Sequence, residues 1–239
     1  MQFNWSGAAQ SLPFLLEGLK ITLLIAVFGL IFGFIVGLIA GLGRTSRNKA
    51  IYGLATVYVE MIRGTPILVQ ALWLYFGLNQ MLVQTVGWRI PGDIAGIIVI
   101  AINAGAYIAE IVRGSIQSVE KGQEEAGRSL GLTRFQTFVH IIYPQAFKRM
   151  IPPLGNQFII SLKDTSLLSV ISVGELMRNG QEVVASSFNA LEIYTMVAAM
   201  YLLLTLTLSF LLKRIERRLD VHHDRSPKSA QVVRPARGA

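Results

Sequence analysis

Lys163 and Asp164 interrupt an otherwise apolar stretch from Ile151 to Gly174. At about 1.5 Å of rise per residue they fall near the middle of a hydrocarbon core about 30 Å thick, where ionisable groups are costly and mark functional paths. Adjacent helical residues point in different directions, so the two cannot simply neutralise each other. Gln157, Ser161, Asp164 and Leu168 form one stripe, while Asn156, Lys163 and Ser166 point elsewhere; Thr165 completes the polar run. A carboxylate at this depth needs a hydrated cavity or a cationic partner. That partner is a transported molecule, or else Lys163 and Asp164 serve a structural ion pair with Glu110 or Arg63 of a neighbouring helix.

Two further groups of polar residues accompany apolar runs. Asn103, Tyr107 and Glu110 are spaced by four and three, so they share one helix face, which turns away from lipid toward protein or water. Upstream, Gly64-Thr65-Pro66 reads as a helix break and restart: Gly relaxes the backbone, Thr65 suits an N-cap and Pro66 the first helical position, with Gln70 one turn further on. Inside a membrane such a restart offers free backbone N–H groups to an anion, as broken transporter helices do. Alternatively it is a plain cytoplasmic helix start with Arg63 as an interfacial anchor.

The elements that position these residues are membrane helices. The chain has 239 residues, 52% hydrophobic and only 15% charged, with a mean hydropathy of +0.51. A soluble domain carries about 25% charged residues, so a soluble enzyme is excluded. Without Cys there is no disulfide framework, thiolate metal site or Cys nucleophile. Five stretches approach the required length, giving expected spans at about 20–42, 65–86, 94–112, 151–173 and 193–213. None shows period-2 alternation, so helices are favoured over a barrel. With the N-terminus outside, seventeen of the 22 Lys and Arg fall in inner segments: three from Arg44 to Lys49, six from Arg113 to Arg149 and eight from Lys213 to Arg237. The positive-inside bias therefore puts the N-terminus outside and the C-terminus inside.

Residues 1–18 are expected to form an amphipathic outer segment, 19–213 the transmembrane domain, and 214–239 a basic cytoplasmic tail. Glu17 and Lys20 before the first run do not resemble a cleavable leader. His222 and His223, beside Asp224, read as solvated tail residues rather than a metal site. Gly29, Gly33, Gly37 and Gly41 line one face of the first span and suit close helix packing.

About forty residues on the inner side separate the third and fourth spans. Glu120 to Leu130 has helix-forming composition, and Gly131 suits the residue just past its end. Thr133 and Gln136 form a capping box for a second short helix, expected to end before Pro144. The string EEAGRSLGLTRFQTFVHIIYP, with Glu125, Ala126, Gly127, Gly131, Ile141, Tyr143 and Pro144 at the signature positions, resembles the cytoplasmic loop of ATP-binding-cassette (ABC) importer permeases. Gly127 stands where Ala is usual, and Tyr143 where Leu is. VEMIRGTPILVQ, INAGAYIAEIVRG, PPLGNQFIISLKDTSLLSVISVGEL and FNALEIY are similar to the polar amino-acid subfamily of type I importers, so the resemblance covers nearly the whole chain.

The resemblance implies an all-α type I importer transmembrane domain in the bacterial inner membrane, translocating a polar amino acid, with glutamine the expected cargo. Glutamate, aspartate or basic amino acids are the alternatives within the subfamily. It implies a second permease copy (identical or paralogous), a periplasmic amino-acid-binding protein, and separate ATPase subunits docked on the loop bearing Glu125, Ala126, Gly127, Gly131, Ile141 and Pro144. The chain has no GxxxxGK[ST] sequence, so it is expected to be a transport subunit rather than an enzyme, with ATP and Mg held by the ATPase and no cofactor of its own. Membrane lipid is its surroundings, and no nucleic acid is expected. The expected substrate path comprises Asp164, Lys163, Ser161, Thr165, Ser166, Gln157, Asn103, Thr65 and Gln70. A stand-alone channel or ion-coupled carrier is the competing class, but carriers commonly contain internal repeats and none is visible here.

Overall fold

The computed structural model describes residues 5–219; residues 1–4 and the distal tail, with His222 and His223, lie outside the described residues. The described chain is helical, without strands. In order it contains α1 (Trp5–Gln10), α2 (Leu12–Gly43), α3 (Lys49–Arg63), α4 (Ile67–Leu72), a π-helical segment (Trp73–Leu78), α5 (Asn79–Val86) and α6 (Gly92–Gln117). Then follow α7 (Lys121–Ser129), α8 (Arg134–Thr137), a second π-helical segment (Phe138–Ile142), α9 (Tyr143–Asp164), a 3-10 helix (Thr165–Ile171), α10 (Leu176–Ser187) and α11 (Ala190–Arg218).

The glycine stripe of α2 lies against α6. A Cβ on Gly29 would stand 2.6 Å from Ile100 Cγ2, one on Gly37 2.6 Å from Ile108 Cβ, and one on Gly41 2.6 Å from Val112 Cβ. The two backbones therefore approach more closely than any side chain at these positions would allow, which is how small residues hold membrane helices together. Tyr58 of α3 donates its hydroxyl to Ile102 O at 2.8 Å, tying α3 to the same helix.

Among the described residues, four helical segments are long and apolar enough to cross a membrane: Leu12–Gly43, Ile67–Val86, Gly92–Gln117 and Ala190–Arg218. The first begins at Leu12, so Glu17 and Lys20 lie within it and the expected boundary after residue 18 is not a structural one. The expected fourth span is not a single helix. α9 ends at Asp164, the chain tightens into the 3-10 helix, and Ser172 takes a left-handed conformation (φ 60°). Thr165 and Ser166 here turn their hydroxyls back onto the carbonyls of Leu162 and Lys163 at 2.7 Å, competing with continued α-helical pairing.

The segment between α6 and α9 forms as its caps dictate, with one correction. Thr133 and Gln136 make the reciprocal capping box, and Gly131 has φ +83°. Gly127 is buried against α8, a Cβ there coming within 2.7 Å of Thr137 Cγ2, so Gly admits the close approach. The second short helix does not end before Pro144. It widens into the π segment and runs on through Pro144, whose missing N–H leaves one helical hydrogen bond unmade at the junction with α9.

Sequence reading missed α10 altogether. Its N-cap is the fully buried Glu175, whose carboxylate accepts from the backbone N–H of Met177 (3.0 Å) and Arg178 (2.7 Å) and from Tyr201 Oη (2.9 Å) on α11. Thr22 of α2 accepts from Leu176 N at 3.1 Å, so this cap joins three helices. Around it Leu15, Leu176, Ile193 and Val197 form an apolar cluster.

Candidate functional site: a polar cleft between four helices

α3 ends at Arg63, Gly64 and Thr65 make the turn, and α4 restarts at Ile67. The break expected at Gly64-Thr65-Pro66 is present, but its caps differ from expectation. Pro66 occupies the N-cap (ψ 137°), and the Thr65 hydroxyl turns back to Met61 O at 2.9 Å. Pro66 cannot donate a hydrogen bond and disfavours helical geometry in Thr65, so Thr65 belongs to the end of α3 rather than the start of α4. Gln70 holds the break closed: its Nε2 donates to Ile62 O (2.8 Å), Thr65 O (3.0 Å) and Thr65 Oγ1 (2.9 Å).

Asn103, near the middle of the 26-residue α6, donates through Nδ2 to Gln70 Oε1 at 3.0 Å. One turn on, Tyr107 lies beneath the Arg63 guanidinium, 5.4 Å from the ring centroid. From α9, Gln157 and Asp164 approach the same space. A half-open cleft of about 630 Å³ results, whose polar walls are Arg63, Thr65, Asn103, Tyr107, Gln157 and Asp164.

Four of the nine expected path residues, Thr65, Asn103, Gln157 and Asp164, thus share one cavity. The other five do not line it. Gln70 and Ser161 stand behind the wall, Ser161 accepting from Gln157 Nε2 at 3.2 Å. Thr165 and Ser166 bond local backbone, and Lys163 is exposed on a different face from Asp164, as their adjacency requires. Asp164 is half-buried, with no ion pair among the described residues.

The ion pair weighed for Asp164 is instead made by Glu110. Its carboxylate meets Arg44, just beyond α2, in a very short contact, Arg113 at 2.7 Å and Arg63 at 3.7 Å. Arg44 also reaches Glu60 of α3 at 3.3 Å. One carboxylate therefore ties the ends of α2 and α3 to α6, directly beside the cleft. Asn103, Tyr107 and Glu110 share a face, as their spacing requires, but Glu110 is a structural hub rather than a cleft wall. Arg63, treated in sequence only as an anchor or ion partner, is a wall residue.

The family profile described as "Binding-protein-dependent transport system inner membrane component" matches residues 29–221. The glutamine transport system permease protein GlnP of Escherichia coli (strain K12) is 50% identical over 221 residues, covering 92% of this chain and 100% of GlnP. The arginine transport system permease protein ArtQ of Bacillus subtilis (strain 168) is 35% identical over 219 residues, covering 92% of this chain and 98% of its own. A crystal structure of an amino acid ABC transporter with histidines superposes with a TM-score of 0.85 at 40% identity, over 91% of this chain and 100% of that one.

Proposed function

The chain belongs to the binding-protein-dependent transport system inner membrane component family, and from that premise we propose that its cleft is where the cargo meets the permease. The protein is the permease of an amino-acid ABC importer in the inner membrane. Asp164 offers a carboxylate to the ammonium group of the amino acid. Arg63 and the first backbone amides of α4 offer donors to its carboxylate. Asn103 and Gln157 supply neutral polar contacts. The observation that carries this reading is the convergence of these groups, from four segments, on one cavity at the depth of mid-α6.

Glutamine is the proposed cargo, on the strength of the 50% identity to GlnP. The fourth apolar stretch crosses as a broken helix, making five crossings with the N-terminus outside, as the distribution of basic residues favours. α7, Gly131 and α8 then face the cytoplasm and dock on a separate ATPase subunit, which holds ATP and Mg. A periplasmic binding protein delivers the amino acid, and a second permease copy closes the open side of the cleft.

The test is Asp164→Asn, nearly isosteric and uncharged, in the complete importer reconstituted with its binding protein. Transport of glutamine falls at least tenfold, while complex yield and basal ATP hydrolysis stay within about twofold of wild type. Unchanged transport by a fully assembled complex overturns the role of Asp164. Lost yield or thermal stability instead assigns Asp164 to a structural pair, because a cation would be left buried and unpaired. Hydrolysis measured against binding proteins loaded with a panel of amino acids checks the cargo.

A further inference from the structure

The last five turns of α11 carry a pattern that the transport reading leaves unused. Met200, Leu204, Thr207, Leu211, Arg214 and Arg218 follow one another in steps of four and three, and so lie on one stripe of the helix. The first four line a nearly apolar groove of about 470 Å³, walled on its other side by Leu16 and Leu19 of α2 and Phe158 of α9. The last two belong to a second concavity of about 480 Å³, completed by Phe210, Lys213 and Arg217. The apolar groove and a cradle of four cations thus follow one another along the same helix.

None of these cations has an ion-pair or hydrogen-bond partner among the described residues. Lys213 with Arg217, and Arg214 with Arg218, are like charges one turn apart, an arrangement that destabilises a helix unless an anion neutralises it. The C-terminal helix dipole relieves only part of this repulsion.

We infer that this face binds an anionic phospholipid, with the phosphate in the Lys213–Arg218 cradle and an acyl chain in the groove above it. The charge complementarity names the head, and the adjoining apolar groove on the same helix names the tail. Inorganic phosphate fits the cradle alone and gains nothing from Leu204 or Leu211. A second copy of this chain would bring cations of the same sign to the cradle.

The complete importer, purified in detergent, is titrated with phosphatidylglycerol or phosphatidylcholine, and bound lipid is counted by native mass spectrometry. Phosphatidylglycerol is retained in preference to phosphatidylcholine. Arg214→Gln with Arg218→Gln lowers its affinity about thirtyfold, from about fivefold per cation near an anionic headgroup, and leaves phosphatidylcholine unchanged; Arg214→Lys with Arg218→Lys retains the preference. Leu208→Trp, which fills the groove without touching a cation, lowers retention as well, and it serves where the Gln pair fails to assemble. The inference is overturned by equal retention of the two lipids on wild type, by full retention in either the Gln pair or Leu208→Trp, or by displacement of the lipid with inorganic phosphate. A change of oligomeric state in the Gln pair at constant lipid would assign the face to a second copy and also overturn it.

Discussion

Replacing Glu110 by Gln removes the one carboxylate shared by Arg44, Arg63 and Arg113 while preserving shape. The three cations do not lose equally. Arg44 is only 10% exposed and has a single other anion, Glu60, which is 63% exposed and therefore well solvated. Breaking a buried pair from one side costs about 3–5 kcal/mol; partial access and Glu60 bring the Arg44 share to about 2 kcal/mol. Arg113 and Arg63, 30% and 37% exposed, can rehydrate, so each adds at most about 0.5 kcal/mol. The expected loss is about 3 kcal/mol, read by unfolding the purified permease complex in a denaturing-detergent titration. The partner measurement is Arg44→Gln, alone and combined with Glu110→Gln. The double variant should recover about 1–2 kcal/mol relative to the sum of the singles, because it no longer buries an unpaired guanidinium. A Glu110→Gln complex within about 0.5 kcal/mol of wild type, or strictly additive singles, would refute the account of Glu110 as the hub joining α2, α3 and α6.

Gly37→Val should cost about 3 kcal/mol through overpacking, because even the first added carbon meets Ile108 Cβ at 2.6 Å and Gly105 O at 2.7 Å; folded yield is the measurement, and Gly53→Ala, whose Cβ meets nothing within 4 Å, should keep wild-type yield. Gly131→Val should leave membrane insertion intact yet weaken co-purification with the ATPase: at φ +83° a β-branched side chain is strained by about 1–2 kcal/mol, and because a Cβ there meets nothing, any defect lies in the backbone rather than in a clash. Normal ATPase recovery with Gly131→Val would remove the loop from the docking surface.

Features encoded within a turn or two of chain were legible in the sequence. The α2 glycines recur every four residues, and that period alone states that one face must approach a neighbour. The Thr133–Gln136 capping box and the left-handed Gly131 follow from equally local chemistry. The broken fourth segment was not legible from hydropathy, which averages over a window and hardly distinguishes a straight apolar helix from one that tightens at Thr165. The signal was there in the hydroxyls of Thr165 and Ser166, which satisfy backbone carbonyls locally, and in Ser172, which takes the left-handed turn. Thr65 was assigned to the wrong helix because a hydroxyl beside Pro66 can bond backward as well as forward, and only the geometry of the break decides between them.

Periodicity assigns a residue to a face but never names what the face meets, and the site depends on that second fact. Gln157 and Asp164 share a stripe, as do Asn103 and Tyr107, yet nothing along the chain joins α9 to α6 or either to the turn at Thr65. Apolar contacts do so: the glycine stripe sets α6 against α2, while Leu74, Val99 and Leu168 pack the α4–α5 segment and the 3-10 helix against the same core. For the same reason Glu110, on the same face as Asn103, became a hub rather than a wall residue. Its neighbours Arg44 and Arg63 lie 66 and 47 positions away, and no local pattern predicts their arrival. The cleft is therefore polar chemistry placed by non-polar packing. A change in the α2–α6 contact, remote from every cleft side chain, should move Asn103 and Tyr107 relative to Asp164 as surely as replacing one of them.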